Sequence, residues 1–411
     1  MKLWTSYKNS SFIVKMTAGF ILGIIVGLVF GTQANVLQPL GSILIKLLNL
    51  IAIPVVFLTV VLAVNQMNPK QLGRTGGKLL LYYGSTTAAA VLIGLGLALV
   101  INPGEALSLP AAEVKKPEAP SFSSVLFNII PDNLFTAFSN GNLMSILFLA
   151  IIIGFSMSAM RFSEDHKMKD YGEKLHTFFD ATNELFFNIL KGILLYAPIG
   201  VFAIAATSFG SQGWDTFQSL LKFTAVFYLG ILLLWVFVYC GSLRIFNIPV
   251  MNFFKKTKEA YTTAFFTSSS IATLPVAMDG AKKAGISERI VNFSLPLGAV
   301  FNSDGGALRM GASIVFAANV SGVDFSITDL LTVVLIGTLL SIGTAGIPAA
   351  GLVTLSAVLT LFDLPLEIVA LIAGVDVIIG MAGTASNVIG DVVGAAVVDQ
   401  SEKNAEISHQ N

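Results

Sequence analysis

Charged residues are scarce in this 411-residue chain: they make up 12% of it, whereas hydrophobic residues make up 55%. A soluble domain carries roughly twice that share of charge, so the composition excludes an ordinary soluble protein. The mean hydropathy of +0.80 indicates a protein that lies in a lipid bilayer. The 24 basic and 24 acidic residues cancel, which leaves no electrostatic basis for binding nucleic acid.

Cysteine and histidine are almost absent. The single cysteine, Cys240, has no second cysteine with which to form an intrachain disulfide. The three histidines fall in predicted loops or in the tail: His166, His176 and His409. A membrane serine protease with a buried histidine is therefore not indicated. An aspartyl intramembrane protease is not indicated either, because Asp376 and Asp391 lack the Gly-x-Gly-Asp setting of that class. We predict that the protein is not an enzyme and uses no organic cofactor.

Apolar segments of membrane-spanning length follow one another along the first 246 residues. A helix of about 20 residues crosses a bilayer, and six segments reach or approach that length: 12–31, 36–66, 77–102, 143–160, 185–207 and 217–246. Basic residues cluster before the first segment and after the second, fourth and sixth. The positive-inside rule therefore places those loops and the N-terminus in the cytoplasm.

Two later segments are interrupted by small and polar residues. The run 260–277 carries three serines at its centre, and the run 330–362 is broken at 341–351 by glycine, threonine and proline. A full crossing at 260–277 would put the following basic loop outside, against the charge rule, whereas a re-entrant hairpin avoids that conflict. Paired interrupted segments mark the substrate site of a transporter. The alternative for each segment is one kinked membrane helix.

The segment 295–311 carries Asn302, Asp304 and Arg309 within an apolar stretch, with Gly305 and Gly306 between them. A carboxylate at bilayer depth costs at least ~2.5–3.5 kcal/mol, so it needs a cavity, an ion or a partner charge. The glycines are expected to let the helix unwind and to free backbone carbonyls that can bind a cation. This segment predicts an ion site.

The last predicted helix, about 366–398, places its polar residues and several glycines on one face. At about 100° per residue, the following positions share a narrow stripe: Asp376, Gly380, Gly383, Thr384, Asn387 and Asp391. A stripe of small residues alone would be typical of helix packing. The two carboxylates favour the wall of a pocket instead.

Four motifs carry a resemblance to a known family. They are Ser268-Ser269-Ser270 with Ile-Ala-Thr-Leu-Pro after it, the turn that ends at Asn302, the segment 341–348, and Asn387-Val-Ile-Gly-Asp391. Their order and spacing resemble the dicarboxylate/amino acid:cation symporter family, which includes sodium:dicarboxylate symporters and glutamate and neutral amino-acid transporters. The resemblance implies an all-α polytopic membrane protein with eight transmembrane helices, two re-entrant helical hairpins and an elevator-type mechanism.

The same resemblance implies an organisation of the chain. Scaffold helices 1 and 2 would occupy 1–66, transport-domain helix 3 would occupy 77–102, and scaffold helices 4 and 5 would occupy 120–209. The rest of the transport domain would occupy 215–398, and 399–411 would be a cytoplasmic tail. A homotrimer in the bacterial inner membrane, with both termini in the cytoplasm, is expected.

Site residues follow from the resemblance as well. Sodium, the expected coupling ion, would be bound by oxygens of these residues: Thr86, Thr87, Gly298, Asn302, Ser303, Asp304, Ser341, Ile342, Thr344, Asn387 and Asp391. The substrate would be bound by these residues: Ser268, Ser269, Ser270, Gly306, Ile347, Gly380, Gly383, Thr384 and Asn387. Arg309 is a further candidate, and we expect it to pair with Asp376, the nearest plausible acid, or to reach an aqueous crevice.

Three departures from the family pattern bear on the substrate. Gly380 stands where relatives place the carboxylate that meets an α-amino group, Gly383 where acidic-substrate members place an arginine, and Gly306 where threonine is usual. We therefore predict a symporter that couples sodium, or protons, to uptake of a small organic carboxylate, amino acid or dicarboxylate-family substrate. A standard glutamate or aspartate carrier is not expected, and a non-acidic amino acid or a non-amino monocarboxylate fits the glycines. The alternative function is a carboxylate-gated ion or anion channel.

Overall fold

The computed structural model describes residues 12–66, 74–107, 130–341 and 350–410, and all regular elements there are helices. In chain order they are α1 Phe12–Phe30, a 3-10 segment Gly31–Leu37, α2 Gln38–Asn65, α3 Arg74–Ile101, α4 Leu134–Ser139, α5 Leu143–Arg161, α6 His166–Gln212, α7 Trp214–Ile245, α8 Val250–Thr267, α9 Ser270–Lys283, α10 Glu288–Phe301, α11 Asp304–Ser321, α12 Ile327–Ser341, α13 Ala350–Leu361 and α14 Glu367–Gln410.

Several of these helices are long and apolar enough to cross a bilayer. Within the described ranges there are five such stretches: Val14–Asn65, Thr75–Ile101, His166–Gln212, Trp214–Ile245 and Ile378–Asn404. The first of them contains α1, the 3-10 segment and α2, and its 52 residues exceed the length that one crossing needs. The structure is therefore that of an integral membrane protein, and the number of eight crossings stays a prediction.

Two helices are longer than the sequence predicted. The apolar run 185–207 is only the second part of α6, which begins at His166, so His166 and His176 lie on this helix and not in a loop. Asp165 starts the helix because its carboxylate accepts a hydrogen bond from the Lys167 amide. Hydropathy alone does not detect this charged first part. At the other end of the chain, α14 continues beyond 398 through most of the predicted tail.

Polar contacts made by charged side chains hold the end of α14 against its neighbours. The buried carboxylate of Asp399 accepts hydrogen bonds from the amide and the hydroxyl of Ser287, the residue that precedes α10. Lys78 at the start of α3 contacts Glu402 at 2.5 Å. The ends of α3, α10 and α14 are thus joined by polar contacts.

The first interrupted segment forms the helix–break–helix unit that the sequence predicted. Its arms α8 and α9 pack against each other and meet at Ser268, whose φ of +49° lies in the left-handed region. The Ser269 side chain caps α9 by accepting a hydrogen bond from the Ala272 amide. The second interrupted segment consists of α12 and α13. Ile342, Thr344 and Ile347 lie outside the described residues.

The helices pack in two sets. One set contains α1, α2, α5 and α6, and the other contains α3, α8 to α11 and α14. Helix α14 also contacts α1 and α6 of the first set, and α13, which belongs to neither set, contacts α2. The predicted scaffold and transport domains stay predictions.

Glycines allow α1 and α6 to approach each other closely. A Cβ atom at Gly19, Gly23 or Gly27 would lie 2.5–2.6 Å from a backbone carbonyl oxygen of α6. Spacing by four residues puts these glycines on one face, which is typical of close helix packing in membranes. A side chain at any of the three positions must push the two helices apart.

We expect Gly23→Ala to destabilise the protein by about 1–3 kcal/mol, because the added methyl group overpacks the contact with the Phe202 carbonyl. The control is Gly192→Ala on α6, where a Cβ would meet no heavy atom of the described residues within 4 Å. Thermal unfolding of the detergent-purified variants measures both changes. Equal melting temperatures for Gly23→Ala and Gly192→Ala would contradict this prediction.

Candidate ion and substrate site

The site is built around a break between α10 and α11. Helix α10 ends at Phe301, Asn302 and Ser303 have non-helical backbone angles, and α11 begins at Asp304. We expected the helix to unwind at Gly305 and Gly306, and this was wrong, because both lie in the first turn of α11. Gly305 serves close packing instead, since a Cβ there would overlap the carbonyl oxygen of Gly383 on α14.

Asp304 is fully buried among hydroxyl groups. Thr86 and Thr87 of α3 donate hydrogen bonds to its Oδ1 at 3.1 and 3.0 Å. The phenol of Tyr239, in the π-helical segment Leu234–Tyr239 of α7, donates to Oδ2 at 2.7 Å. The structure thus brings Thr86, Thr87 and Asp304 together as predicted, and each carboxylate oxygen has at least one hydroxyl donor.

A second carboxylate lies beside the break. Asp391 is 4% exposed, and its Oδ1 accepts a hydrogen bond from Asn302 Nδ2 at 3.0 Å. A Cβ at Gly298 would lie 2.7 Å from this carboxylate, so the α10 backbone runs directly against Asp391. The other amide atom of Asn302, Oδ1, is buried and has no hydrogen-bond partner among the described residues. An unsatisfied buried acceptor of this kind fits a bound cation.

Asn387 joins α14 to the broken backbone between α10 and α11. Its Oδ1 accepts a hydrogen bond from the Gly305 amide at 2.8 Å, and its Nδ2 donates to Ser303 Oγ at 3.3 Å. Its backbone oxygen accepts from Asn302 Nδ2 at 3.4 Å. The predicted residues Asn302, Ser303 and Asn387 therefore form one connected group.

Sequence reasoning missed the contribution of α7. Tyr239 is fully buried and lies 3.0 Å from the Ser386 carbonyl as well as contacting Asp304. Trp235, one turn earlier, donates from Nε1 to Ser386 Oγ at 2.7 Å. A π-helical segment often occurs at a functional site, but the only sequence signal was aromatic residues with polar atoms inside an apolar span.

One of the glycines proposed to bind the substrate borders open space. A Cβ at Gly380 would meet no heavy atom of the described residues within 4 Å, whereas Gly383 is buried and a Cβ there would make ordinary contacts, the nearest at 3.5 Å with Phe227. Gly306 and Thr384 are half-buried. At the tip of the first hairpin, Ser270 is 6% exposed and the Ser268 hydroxyl is buried without a partner among the described residues. Of the second tip, only the backbone position of Ser341 at the end of α12 is described.

The predicted pairing of Arg309 with Asp376 is confirmed. Nη1 of Arg309 hydrogen-bonds to Asp376 Oδ1, and the two side chains are 13% and 20% exposed. The guanidinium also lies against Gly351 of α13, where any Cβ would overlap it. Because Arg309 follows Gly306 by three residues and Asp376 precedes Gly380 by four, the pair lies about one helical turn from the glycine-lined space.

We expect Arg309→Met and Asp376→Asn each to lower the melting temperature, and the double variant to recover most of the loss. Removing one partner leaves a charge in a largely buried setting, whereas removing both does not. Thermal unfolding of the four proteins forms a double-mutant cycle. Lys174→Met and Asp170→Asn provide a control cycle on a pair that is 70% and 55% exposed, where little coupling is expected. Additive losses at Arg309 and Asp376 would contradict an energetically coupled pair.

Comparison with known proteins agrees with this geometry. Residues 12–401 match the model of the sodium:dicarboxylate symporter family. The proton/sodium-glutamate symport protein of Bacillus caldotenax is 32% identical over 398 residues, which cover 93% of each chain. The C4-dicarboxylate transport protein of Bacillus subtilis (strain 168) is 30% identical over 409 residues, covering 96% of this chain and 94% of the relative. The protein therefore belongs to the sodium:dicarboxylate symporter family.

Proposed function

We propose that the protein is a secondary active symporter that couples entry of sodium to uptake of a small organic carboxylate, and that it is not a standard glutamate or aspartate carrier. The observation that carries this proposal is the pair of buried carboxylates, Asp304 and Asp391, on either side of Asn302. No described hydrogen bond joins either carboxylate to a lysine or arginine. Their charges therefore require a mobile cation.

Sodium suits the donors that the site offers. The groups around Asp304 and Asp391 are carboxylates, hydroxyls, an amide oxygen and backbone carbonyls, and hard cations prefer such oxygen ligands. One ion would be bound by Thr86, Thr87 and Asp304, and another by Asp391, Asn302 and the backbone near Gly298. The proposed third site at Ser341, Ile342 and Thr344 rests on the family resemblance alone. Protons remain the alternative coupling ion, and the caldotenax relative carries both ions in its name.

The glycines on α11 and α14 indicate that the substrate carries no second charge in the place where they lie. An arginine at 383 would find room for its Cβ, yet the chain has no side chain there. Burying a substrate carboxylate without a partner charge costs several kcal/mol of binding free energy. We therefore place the carboxylate of the substrate at the hairpin serines and an uncharged group of it in the space beside Gly380 and Gly383. A non-acidic amino acid or a non-amino monocarboxylate meets these conditions.

The same proposal includes the architecture of the family. The set α1, α2, α5 and α6 would be the scaffold of a homotrimer, and the set around α11 and α14 would carry the substrate in an elevator movement. The packing of helices mainly within each set supports two bodies that can slide past each other. We place the protein in the bacterial inner membrane with both termini in the cytoplasm, because basic residues cluster on that side.

Sodium binding is expected to depend on both acids. Asp304→Asn and Asp391→Ala should each reduce sodium-dependent thermal stabilisation and sodium-driven uptake at least tenfold, because each removes a charged ligand that the ion needs. Asp279→Asn is the control, since Asp279 is 57% exposed and paired with Lys283. Titrating sodium against potassium in the thermal-shift assay separates specific binding from ionic strength. Wild-type sodium dependence in both variants would contradict the ion sites.

Charge at position 383 is expected to change selectivity. Gly383→Arg, alone or with Gly380→Asp, should raise uptake of L-aspartate relative to neutral substrates, because it supplies partners for the second carboxylate and the amino group. Gly383→Met is the matched control, which adds bulk of similar length without charge. Competition uptake in proteoliposomes measures the ratio. Tight sodium-dependent binding of L-aspartate by the unmodified protein would contradict the substrate assignment.

A further inference from the structure

The end of α14 holds the residues that precede α10. Asp399 is 5% exposed, and its Oδ1 accepts hydrogen bonds from the Ser287 hydroxyl at 2.5 Å and the Ser287 amide at 3.4 Å. Its Oδ2 lies 2.6 Å from Nζ of Lys403, one turn later on the same helix. Lys403 also lies 3.5 Å from the carbonyl oxygen of Gly285, in the loop before α10. These four residues, Gly285, Ser287, Asp399 and Lys403, are called the α10 clasp below.

The charge of Asp399 is balanced within the chain. Lys403 pairs with it, whereas no described hydrogen bond joins Asp304 or Asp391 to a lysine or arginine. Asp399 therefore needs no mobile cation and is not a further ion ligand. Hydrogen bonds to a charged group are roughly twice as strong as those between neutral groups, so this carboxylate holds Ser287 firmly.

Helix α14 contacts α10 at both ends of α10. Ser287, which precedes α10, bonds to Asp399, and Asn302, which follows α10, donates to Asp391. The contacts occur in opposite order along the two helices, so α10 and α14 run antiparallel. Asp391 and Asp399 are separated by two steps of four residues, which puts them on one side of α14. Helix α10 is thus fixed along α14 at two points, and one of them belongs to the proposed ion site.

The position of α10 along its axis matters for the ion site because the proposed ligands come from two helices. Asn302 and the backbone at Gly298 belong to the end of α10, whereas Asp391 belongs to α14. The buried carboxylates repel each other when no ion is bound, so contacts between helices must keep the ligands together. Pro296 removes one backbone hydrogen bond inside α10, but the chain stays helical there, so an axial shift at Ser287 reaches Asn302.

We propose that Asp399 and Ser287 are positioning residues for the sodium site, which hold α10 where Asn302 and the backbone at Gly298 meet Asp391. This inference rests on the proposed symport function. Ligands that are held in place before the ion arrives bind it more tightly, because less of the binding free energy is used to order them. The proposal gives residues 399–403, which the sequence assigned to a tail, a part in ion coupling.

The sodium affinity of clasp variants tests the proposal. Asp399→Ala and Ser287→Ala should each raise the sodium concentration for half-maximal thermal stabilisation about three- to tenfold, because the ion must then order α10. The full-length protein in detergent is titrated with sodium chloride against choline chloride at constant ionic strength. Ser287→Thr keeps the hydroxyl and should retain wild-type affinity. Ser287→Ala leaves the pair of Asp399 with Lys403 in place, so it decides the question if Asp399→Ala does not fold.

Tyr196→Phe is the matched control. It removes one hydrogen bond between helices, from the Tyr196 hydroxyl to the Leu40 carbonyl oxygen at 2.8 Å, within the set of α1, α2, α5 and α6, to which none of the proposed ion ligands belongs. We expect a lower melting temperature without sodium and an unchanged half-maximal sodium concentration. The double variant Asp399→Ala with Ser287→Ala should lose no more sodium affinity than the weaker-binding single variant, because both changes remove the same contact.

Uptake measurements separate sodium binding from the later steps of transport. Proteoliposomes are assayed with radiolabelled L-alanine, lactate and succinate at increasing sodium concentration. For each of these that the wild type transports, both alanine variants should need more sodium for half-maximal uptake. The maximal rate at saturating sodium should stay within about twofold of the wild-type rate, because the ligands themselves are unchanged.

Three results would overturn the proposal. If both alanine variants have lower melting temperatures and wild-type sodium affinity, the α10 clasp serves the fold alone and the proposed symport stands. If the maximal uptake rate falls while sodium affinity is unchanged, the clasp acts in another step of transport. If the wild type shows neither sodium-dependent stabilisation nor sodium-driven uptake, the proposed function fails and this inference fails with it.

Discussion

The constraint on which the site depends is that two carboxylates are buried close to one asparagine, and that no lysine or arginine among the described residues pairs with either of them. Asp304 is fully buried and Asp391 nearly so, and Asn302 lies between them. An isolated charge in a medium of low dielectric is costly, and the cost grows when a like charge is near. Hydroxyl donors around Asp304 reduce that cost without removing the charge. The break in the backbone between α10 and α11 brings further oxygens to the same place, so the helices here are arranged around charge that only a cation can neutralise.

Glycine makes this arrangement possible, because three helices must approach more closely than side chains allow. Gly298 lets the α10 backbone touch Asp391, and Gly305 lets α11 touch α14. Gly390 plays the same part on α14, where a Cβ would lie 2.8–3.0 Å from Tyr239, Asn302 and Asp304. Gly380 differs, since a Cβ there would meet no described heavy atom within 4 Å. The same residue type thus allows close packing at the two carboxylates and leaves open space further along α14.

Prediction from the sequence succeeded where the chemistry of the residues and their helical spacing indicated the same arrangement. The polar face of α14 was predicted from offsets along one helix, and the Arg309 and Asp376 pair was predicted because a guanidinium in the membrane needs an acid. The position of the break was missed by two to three residues, since Gly305 suggested flexibility while its actual role is close packing. Tyr239 was missed because an aromatic residue in an apolar span reads as core, and its hydrogen bond depends on a tertiary contact. The start of α6 was missed because the first part of that helix is charged.

The ion pair between Arg309 and Asp376 bears on the charges that are left for the coupling ions of the proposed symport. Arg309 and Asp376 neutralise each other, and their partial exposure lowers the cost of holding them in the membrane. They therefore leave the electrostatic balance of the ion site to Asp304 and Asp391. An arginine placed nearer the break would neutralise these two acids itself, whereas Arg309, one turn further along, is held by Asp376 and lies against Gly351. The fixed cation is thus kept apart from the two acids, which leaves their charge to be balanced by the cation of the proposed symport.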